Sequence, residues 1–401
     1  MRVQRASVMV VVLAGAMLVS CGEGSGSALT EKWSRPGGPQ SEFLSSGSWT
    51  ATDELWIYAN IDDSRIEAVR LADGKEAWHL PLEENVCEIS PVNEEDLVAV
   101  RDHSSGSHGC NRVTVVDTSD GEALWSATFG SIGGRSEGGG MVGLTEATVS
   151  VTTDCAIERW EAVSGDRLAP LKARDGAAEL GSFGCRVAAT GHTALIPERD
   201  GLSGLDIDTG QRVWSVAGDS PQVGRVYATD PIVADVWIEG AQGVRTIDSR
   251  TGQMGKIVGR SLDAAAAAAT PTLGLADVVG DRIVGAYGEE LSGSDAAANG
   301  AARAWDLVSG TEAWRRASEA GDTFLGADEK GLYIGRDTGS EAAGYRVIRR
   351  DLDDGSDEVL GTVGTGPTVV TRVGDLLLVG SADATSGDVE TTAYQLPSQG
   401  S

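Results

Sequence analysis

Positive charge is scarce in this chain of 401 residues: 32 basic side chains stand against 60 acidic ones, a formal charge of −28. Binding a polyanion needs clustered Lys and Arg, so a nucleic-acid partner is excluded. Proline is sparse at 11 residues, and the 54 glycines follow no three-residue period, which rules out a collagen-like helix. Beyond residue 20 there is no apolar run long enough to span a bilayer, so no mature transmembrane helix is expected. Helix-type sequence is confined to the six-Ala run within Asp263–Ala269, which reads as a loop insertion, as does the stretch from Leu291 to Ala302. Hydrophobic residues nevertheless make up 41%, enough for a large core in one all-β domain or in two or three ordinary ones.

What is present begins at the N-terminus. Arg2 and Arg5 precede an apolar run from Val8 to Val19, the charged-then-apolar order of an export signal. The run ends Leu18-Val19-Ser20-Cys21, which resembles the lipobox of bacterial lipoproteins. The resemblance implies removal of residues 1–20, lipidation of Cys21, and a flexible tether over 21–28 ahead of a single domain at 29–401. An acylated Cys21 gains about 0.8 kcal/mol per buried CH₂ and would hold the protein on the extracytoplasmic face of the cell membrane.

An exported chain meets an oxidising compartment, and four cysteines remain: Cys87, Cys110, Cys155 and Cys185. Four cysteines allow three pairings. Neighbours in a repeat array are neighbours in space, which favours Cys87 with Cys110 and Cys155 with Cys185, each closure stabilising by roughly 3–4 kcal/mol. No Cys-x-x-Cys or His-x-x-x-His spacing points to a metal.

One unit recurs through the chain: a β-type run, an acidic residue, three residues, a Gly, three residues, then Trp or an apolar residue. It ends at Trp78, Trp125, Trp214 and Trp314, with weaker copies around Gly165, Gly252 and Gly355. The turn glycines Gly74, Gly121, Gly165, Gly210, Gly252, Gly310 and Gly355 recur with a period near 45, the signature of a propeller blade. Four residues before each Gly stands a carboxylate, Asp117, Glu161, Asp206, Asp248, Asp306 or Asp351, with Arg70 the exception. A short carboxylate there can accept hydrogen bonds from the backbone of its own turn, while the glycine supplies a positive φ. The Trp on the following strand suits the seam between blades. Leu29 to Ser34 matches the strand that carries Trp314, so Trp33 is expected to lie on an N-terminal strand that completes the last blade and removes an open sheet edge.

With these motifs in view, the chain resembles the PQQ-like β-propeller repeat family over roughly residues 30 to 396. The resemblance implies an all-β, eight-bladed propeller of four-stranded antiparallel blades around a central channel. That family includes quinoprotein alcohol dehydrogenases and the lipoprotein scaffold of the outer-membrane barrel-assembly machinery. Its dehydrogenases hold the quinone against a disulfide of adjacent cysteines, and here no two cysteines are adjacent, so no quinone, metal or other cofactor is assigned.

Other chemistry finds little support. His79, His103, His108 and His192 lie in or beside loops or on a repeat strand, with no nucleophile-elbow pattern near them. Gly138-Gly139-Gly140 lacks the Lys-Ser/Thr of a phosphate loop. Asp206 with Asp208, and Asp351, Asp353, Asp354, Asp357 and Glu358, offer hard oxygen ligands without calcium-loop spacing. Trp56, Trp160 and Trp305 read as buried strand residues, whereas Trp49 and Trp237 are candidates for a carbohydrate or peptide site. The reading that results is a lipid-anchored, non-catalytic binding or scaffolding module for a protein or cell-envelope ligand. A quinoprotein-like dehydrogenase or a carbohydrate-active propeller is the rival.

Overall fold

In the computed structural model, the described residues are 29–38, 49–60, 64–104, 109–129, 142–153, 155–173, 187–218, 221–238, 241–258, 276–287, 301–317, 319, 322–337, 345–363, 367–382 and 389–397. The N-terminal run, Cys21, His108, Cys185, Gly138-Gly139-Gly140 and the poly-Ala stretch lie outside them.

Among the described residues, alternating and β-branched runs fold as 31 strands in eight antiparallel sheets. Strand β1 (Thr30–Pro36) stands apart from its sequence neighbours. Blade 1 contains β2 (Trp49–Ala51), β3 (Leu55–Asn60), β4 (Arg65–Arg70) and β5 (Glu76–Pro81). Blade 2 contains β6 (Val86–Ile89), β7 (Leu97–Asp102), β8 (Arg112–Asp117) and β9 (Ala123–Thr128). Blade 3 contains β10 (Val142–Leu144), β11 (Thr148–Thr152), β12 (Ala156–Glu161) and β13 (Arg167–Lys172). Blade 4 contains β14 (Ala188–Thr190), β15 (Thr193–Glu198), β16 (Gly201–Asp206) and β17 (Arg212–Ala217).

Among the described residues, blade 5 has three strands, β18 (Gln222–Thr229), β19 (Ile232–Ile238) and β20 (Ala241–Ile247). Its fourth position is reduced to two isolated bridges, Ile247 with Met254 and Val244 with Val258. Blade 6 contains β21 (Ala276–Val279), β22 (Arg282–Tyr287), β23 (Ala301–Asp306) and β24 (Glu312–Ala317). Blade 7 contains β25 (Asp322–Asp328), β26 (Gly331–Asp337), β27 (Tyr345–Arg350) and β28 (Asp357–Val363). Blade 8 takes β29 (Pro367–Val373), β30 (Leu376–Ala382) and β31 (Val389–Gln395) from the C-terminus and β1 from the N-terminus. Thus the ring closes between the two ends of the chain: β1 pairs with β31 from Thr30 opposite Gln395 to Pro36 opposite Glu390.

The core lies within each blade and in the seams between blades. Trp56, Tyr58, Ile57 and Ile66 in blade 1, Trp160 and Ile157 in blade 3, and Tyr333 and Leu332 in blade 7 are almost wholly buried. At the seams one arrangement repeats. A Trp on the outer strand of one blade lays its ring on the turn glycine of the next, and its indole N–H donates to the carbonyl three residues before that glycine. Trp33 does so on Gly74 with Leu71 O (2.9 Å), Trp78 on Gly121 with Thr118 O (2.7 Å), and Trp125 on Gly165 with Ala162 O (2.8 Å). Trp214 sits likewise on Gly252 with Ser249 O (2.9 Å), and Trp314 on Gly355 with Leu352 O (2.8 Å).

Gly121 shows why the seat must be glycine. Its φ is +77°, and a Cβ would lie 2.6 Å from the Trp78 ring. The residue therefore fixes the turn and leaves a flat surface for the indole.

Three seams depart from the pattern; at that of blades 7 and 8 the repeat position is Val359, and blade 8, completed by the two ends of the chain, has no turn glycine to seat a ring. Between blades 3 and 4 the Trp is missing, and the guanidinium of Arg159 in β12 takes its place, donating to the carbonyls of Ile207, Asp208 and Ala169. Between blades 5 and 6, Lys256 occupies the Trp position, and backbone at Ile257 faces Gly310.

Candidate binding face

Antiparallel order puts the strand ends on two unlike faces. On one face the connections are short: paired turns such as 191–192, 230–231, 280–281 and 374–375, and the glycine turns 71–75, 118–122, 162–166, 207–211 and 307–311. The strand ends joined by the longer segments 37–48, 103–111, 129–141, 173–187 and 288–300 all lie on the other face. In rigid β scaffolds, recognition concentrates where connections are long, because short turns leave no side chains free to vary.

The carboxylates of the short-turn face are engaged by their own turns. Asp117 accepts from Ser119 N (2.8 Å), Asp206 from Thr209 N (2.7 Å), Asp248 from Thr251 N (2.7 Å), Asp306 from Ser309 N (2.6 Å) and Asp351 from Asp353 N (2.7 Å). Hydrogen bonds from Thr251 hold the Asp248 carboxyl below its ordinary range, and the Ser309 backbone does the same for Asp306. The other acidic groups are divided among separate partners. Asp357 pairs with Arg350 (2.6 Å), Glu358 with Arg349 (2.5 Å), and Asp208 with His192 Nδ1 (3.1 Å) and Thr145 Oγ1 (2.6 Å). The hydrogen bond to Asp208 raises the pKa of His192, whose Nε2 also lies 3.5 Å from Glu146.

Also on this face, at the seam of blades 5 and 6, is a cavity of about 450 Å³ whose lining includes Pro231, Thr246, Gly255, Asp281, Leu307 and Val308. It opens where Lys256 replaces the repeat Trp. Of the two unassigned tryptophans, Trp49 packs partly buried against the core of blade 1, and Trp237 on β19 is 37% exposed. They lie on the first and fifth blades and do not form one site.

The long-connection face is held by charged clamps. At the end of β7, the buried carboxylate of Asp102 receives Arg112 Nε (2.9 Å) and Nη2 (2.5 Å), and Arg112 Nη1 reaches Glu83 in the linker from blade 1 (2.8 Å). Blade 7 repeats the device: Arg336 donates to Asp322 (2.6 Å) and pairs with Glu319 in the preceding linker (2.6 Å). In blade 1 the buried Glu67 lies between Arg35 of β1 and Arg65, so the closing strand is also tied electrostatically to the first blade. Hydrogen bonding to Arg35 keeps the Glu67 carboxyl low despite burial, and burial raises the Tyr58 phenol beside it. A deeper pair, Glu88 on β6 and Arg101 on β7, lies 3.3 Å apart. Burial pushes the Glu88 carboxyl up to about 7 against the pull of Arg101 and of the Val142 N–H on blade 3.

Blade 2 carries one more feature at this end. Cys87 and Cys110 form a disulfide that ties β6 to the approach to β8, and His103 Nε2 lies 3.6 Å from Cys110 Sγ. Cys155, in the connection from β11 to β12, is also disulfide-bonded. In the sequence the signal for this meeting is faint: Cys110 follows His103 by seven residues, while Cys87 lies sixteen residues before it.

Fold and repeat chemistry define this molecule as an eight-bladed propeller of the PQQ-like type. The chain belongs to the family described as outer membrane protein assembly factor BamB, whose family model matches residues 22–178 and 62–315. Among solved structures it is similar to BamB from Moraxella catarrhalis, with 16% identity, covering 94% of this chain and 100% of that one, TM-score 0.53. It is also similar to the quinohemoprotein alcohol dehydrogenase ADHIIG from Pseudomonas putida HK5, with 12% identity, 94% and 77% coverage, and TM-score 0.50. The C-terminal WD40 domain of Sif2 aligns at 11% identity with TM-score 0.57, covering 94% of this chain and 100% of that one. At these identities the likenesses carry the fold. No curated protein matches the chain in sequence.

Proposed function

We propose that this protein is a non-catalytic binding or scaffolding module, held by a lipidated Cys21 on the extracytoplasmic face of the cell membrane, which engages a protein partner through its long-connection face. The observation that carries the reading is the inequality of the two faces. The repeat carboxylates of the short-turn face build their own turns, whereas the opposite face carries the strand ends that the long segments join, fixed by clamps and a disulfide. Membership of a family described as an assembly factor supports a protein partner. The export-type N-terminus and its Cys21 support the address.

A photo-crosslinker placed at the exposed positions Glu84 or Lys172, beside the long connections, should capture a partner in intact cells. The same probe at Asp120 or Asp354, in the short turns, should capture none. Equal or reversed yields would overturn the assignment of the face. Cys21→Ala should release the protein from the membrane fraction or block its maturation. The rival dehydrogenase reading requires alcohol- or sugar-oxidising activity in purified protein supplied with quinone and calcium, and stoichiometric quinone binding seen by absorbance would favour it.

A further inference from the structure

We infer that reduction of the Cys87–Cys110 bridge opens a binding site for a zinc-type ion at the long-connection end of blade 2, with the two thiolates and the His103 imidazole as ligands.

The three side chains come from three separate strand ends and converge: one ligand atom from each lies within 4.8 Å of the others, and all three are half-buried. Cys87 reaches this point through a β-bulge. Val86 pairs with Asp102 and Glu88 with Arg101, which leaves Cys87 without a partner in the ladder and re-aims its side chain. His103 is the first residue past β7, where its N–H donates to Asn85 O (3.3 Å). Cys110 precedes β8, and Asn111 beside it accepts from Ser104 N (3.0 Å), so the two arms of the loop are joined near the cluster.

Geometry favours a metal over a chance neighbour. Tetrahedral zinc with Zn–S of about 2.3 Å and Zn–N of about 2.0 Å has an S···N edge of about 3.5 Å. Cys110 Sγ and His103 Nε2 are already 3.6 Å apart. Only the sulfurs must separate, to about 3.8 Å for two thiolates on one zinc, a change within reach of side-chain rotation.

The scaffold need not depend on the S–S bond, because the clamp from Arg112 to Asp102 holds the end of β7 to the start of β8 independently. Two soft thiolates and an imidazole suit zinc and reject calcium or magnesium, and three protein ligands leave a fourth position for water or another donor.

The chemistry balances with a dithiol or phosphine as reductant. A dithiol delivers two electrons and two protons to the bridge, giving both protein thiols and its own disulfide, whereas a phosphine supplies the two electrons and water the two protons, its oxygen leaving in the phosphine oxide. Binding of Zn²⁺ then releases the two thiol protons.

The test uses the full chain, reduced with a phosphine under anaerobic conditions, dialysed against Zn²⁺ and assayed for bound metal, with circular dichroism to follow the fold. One zinc per reduced chain is expected, with none above background on the oxidised chain. Co²⁺ in its place should give thiolate-to-metal charge-transfer absorption. His103→Ala should weaken binding at least tenfold. A reduced chain carrying Cys87→Ser and Cys110→Ser, which keeps the remaining cysteines, should bind none. The inference is overturned if that double variant still takes up one zinc or if His103→Ala binds as tightly as the parent. Equal uptake by the oxidised chain, or loss of the β signal on reduction alone, would overturn it as well.

Discussion

Replacing Trp33 by Ala tests the closure of the ring, because this residue joins the first described strand to the last blade and seals that blade against the first. The indole is 7% exposed, packs with Trp56, Leu71, Val373 and Leu376, rests on Gly74 and donates to Leu71 O. Burying roughly 200 Å² of a Trp at about 25 cal/mol per Å² is worth about 5 kcal/mol. Partial relaxation of the seam brings the measured cost of such truncations to about 3–5 kcal/mol. For a domain of about 370 residues, with about 2.1 cal/mol/K of unfolding entropy per residue, this lowers Tm by about 4–6 °C. Trp33→Phe keeps most of the burial and loses the N–H, so it should cost about 1–2 kcal/mol. Gly74→Ala should destabilise from the other side of the contact, since its φ is +71° and a methyl would sit 2.6 Å from the ring. Thermal and urea unfolding followed by circular dichroism give these values. Because a detached β1 exposes the edge of β31, the Ala variant should also self-associate with rising concentration in light scattering. A Trp33→Ala protein that melts with the parent and stays monomeric would refute the closure.

Further outcomes follow from the seams and turns. Arg159→Ala should cost about 3 kcal/mol in urea unfolding, because it removes the group that fills the seam of blades 3 and 4 and leaves the Ile207 and Ala169 carbonyls without it; a change below about 0.5 kcal/mol would show that the seam holds without the guanidinium. His192, its pKa raised by Asp208, binds its proton more tightly when folded. Its contribution is therefore present below the unfolded pKa, near 6.5, and is lost as pH rises through the higher folded value; being solvent-exposed it is worth under about 1 kcal/mol, and His192→Asn should flatten that part of the stability curve. Non-reducing peptide mapping of exported protein should recover Cys155 linked to Cys185, and any other partner for Cys155 would remove that pairing.

Much of the architecture was legible in the sequence because a repeat states its rule several times. The 45-residue spacing of Gly74, Gly121, Gly165 and Gly210 marks blades, since each needs one turn with a positive φ. The likeness of Leu29–Ser34 to the strand bearing Trp314 marks the closing strand, since an outer strand has the same pattern whichever terminus supplies it. No strand pattern stood out over Ile232–Ile238, where a run buried on both sides of blade 5 lacks simple alternation. What only the tertiary structure decided is which glycine each Trp uses. The ring seats on the turn of the following blade, some 40 residues away, a contact fixed by how neighbouring sheets pack and not by local spacing. Arg159 as a substitute for Trp was hidden for the same reason: it fills the seam from a different strand, and its burial is tolerable only because three carbonyls converge on it. The meeting of His103 with Cys87 and Cys110 belongs to this second class, since a bulge in one strand and the ends of two others converge there only once the sheet has formed.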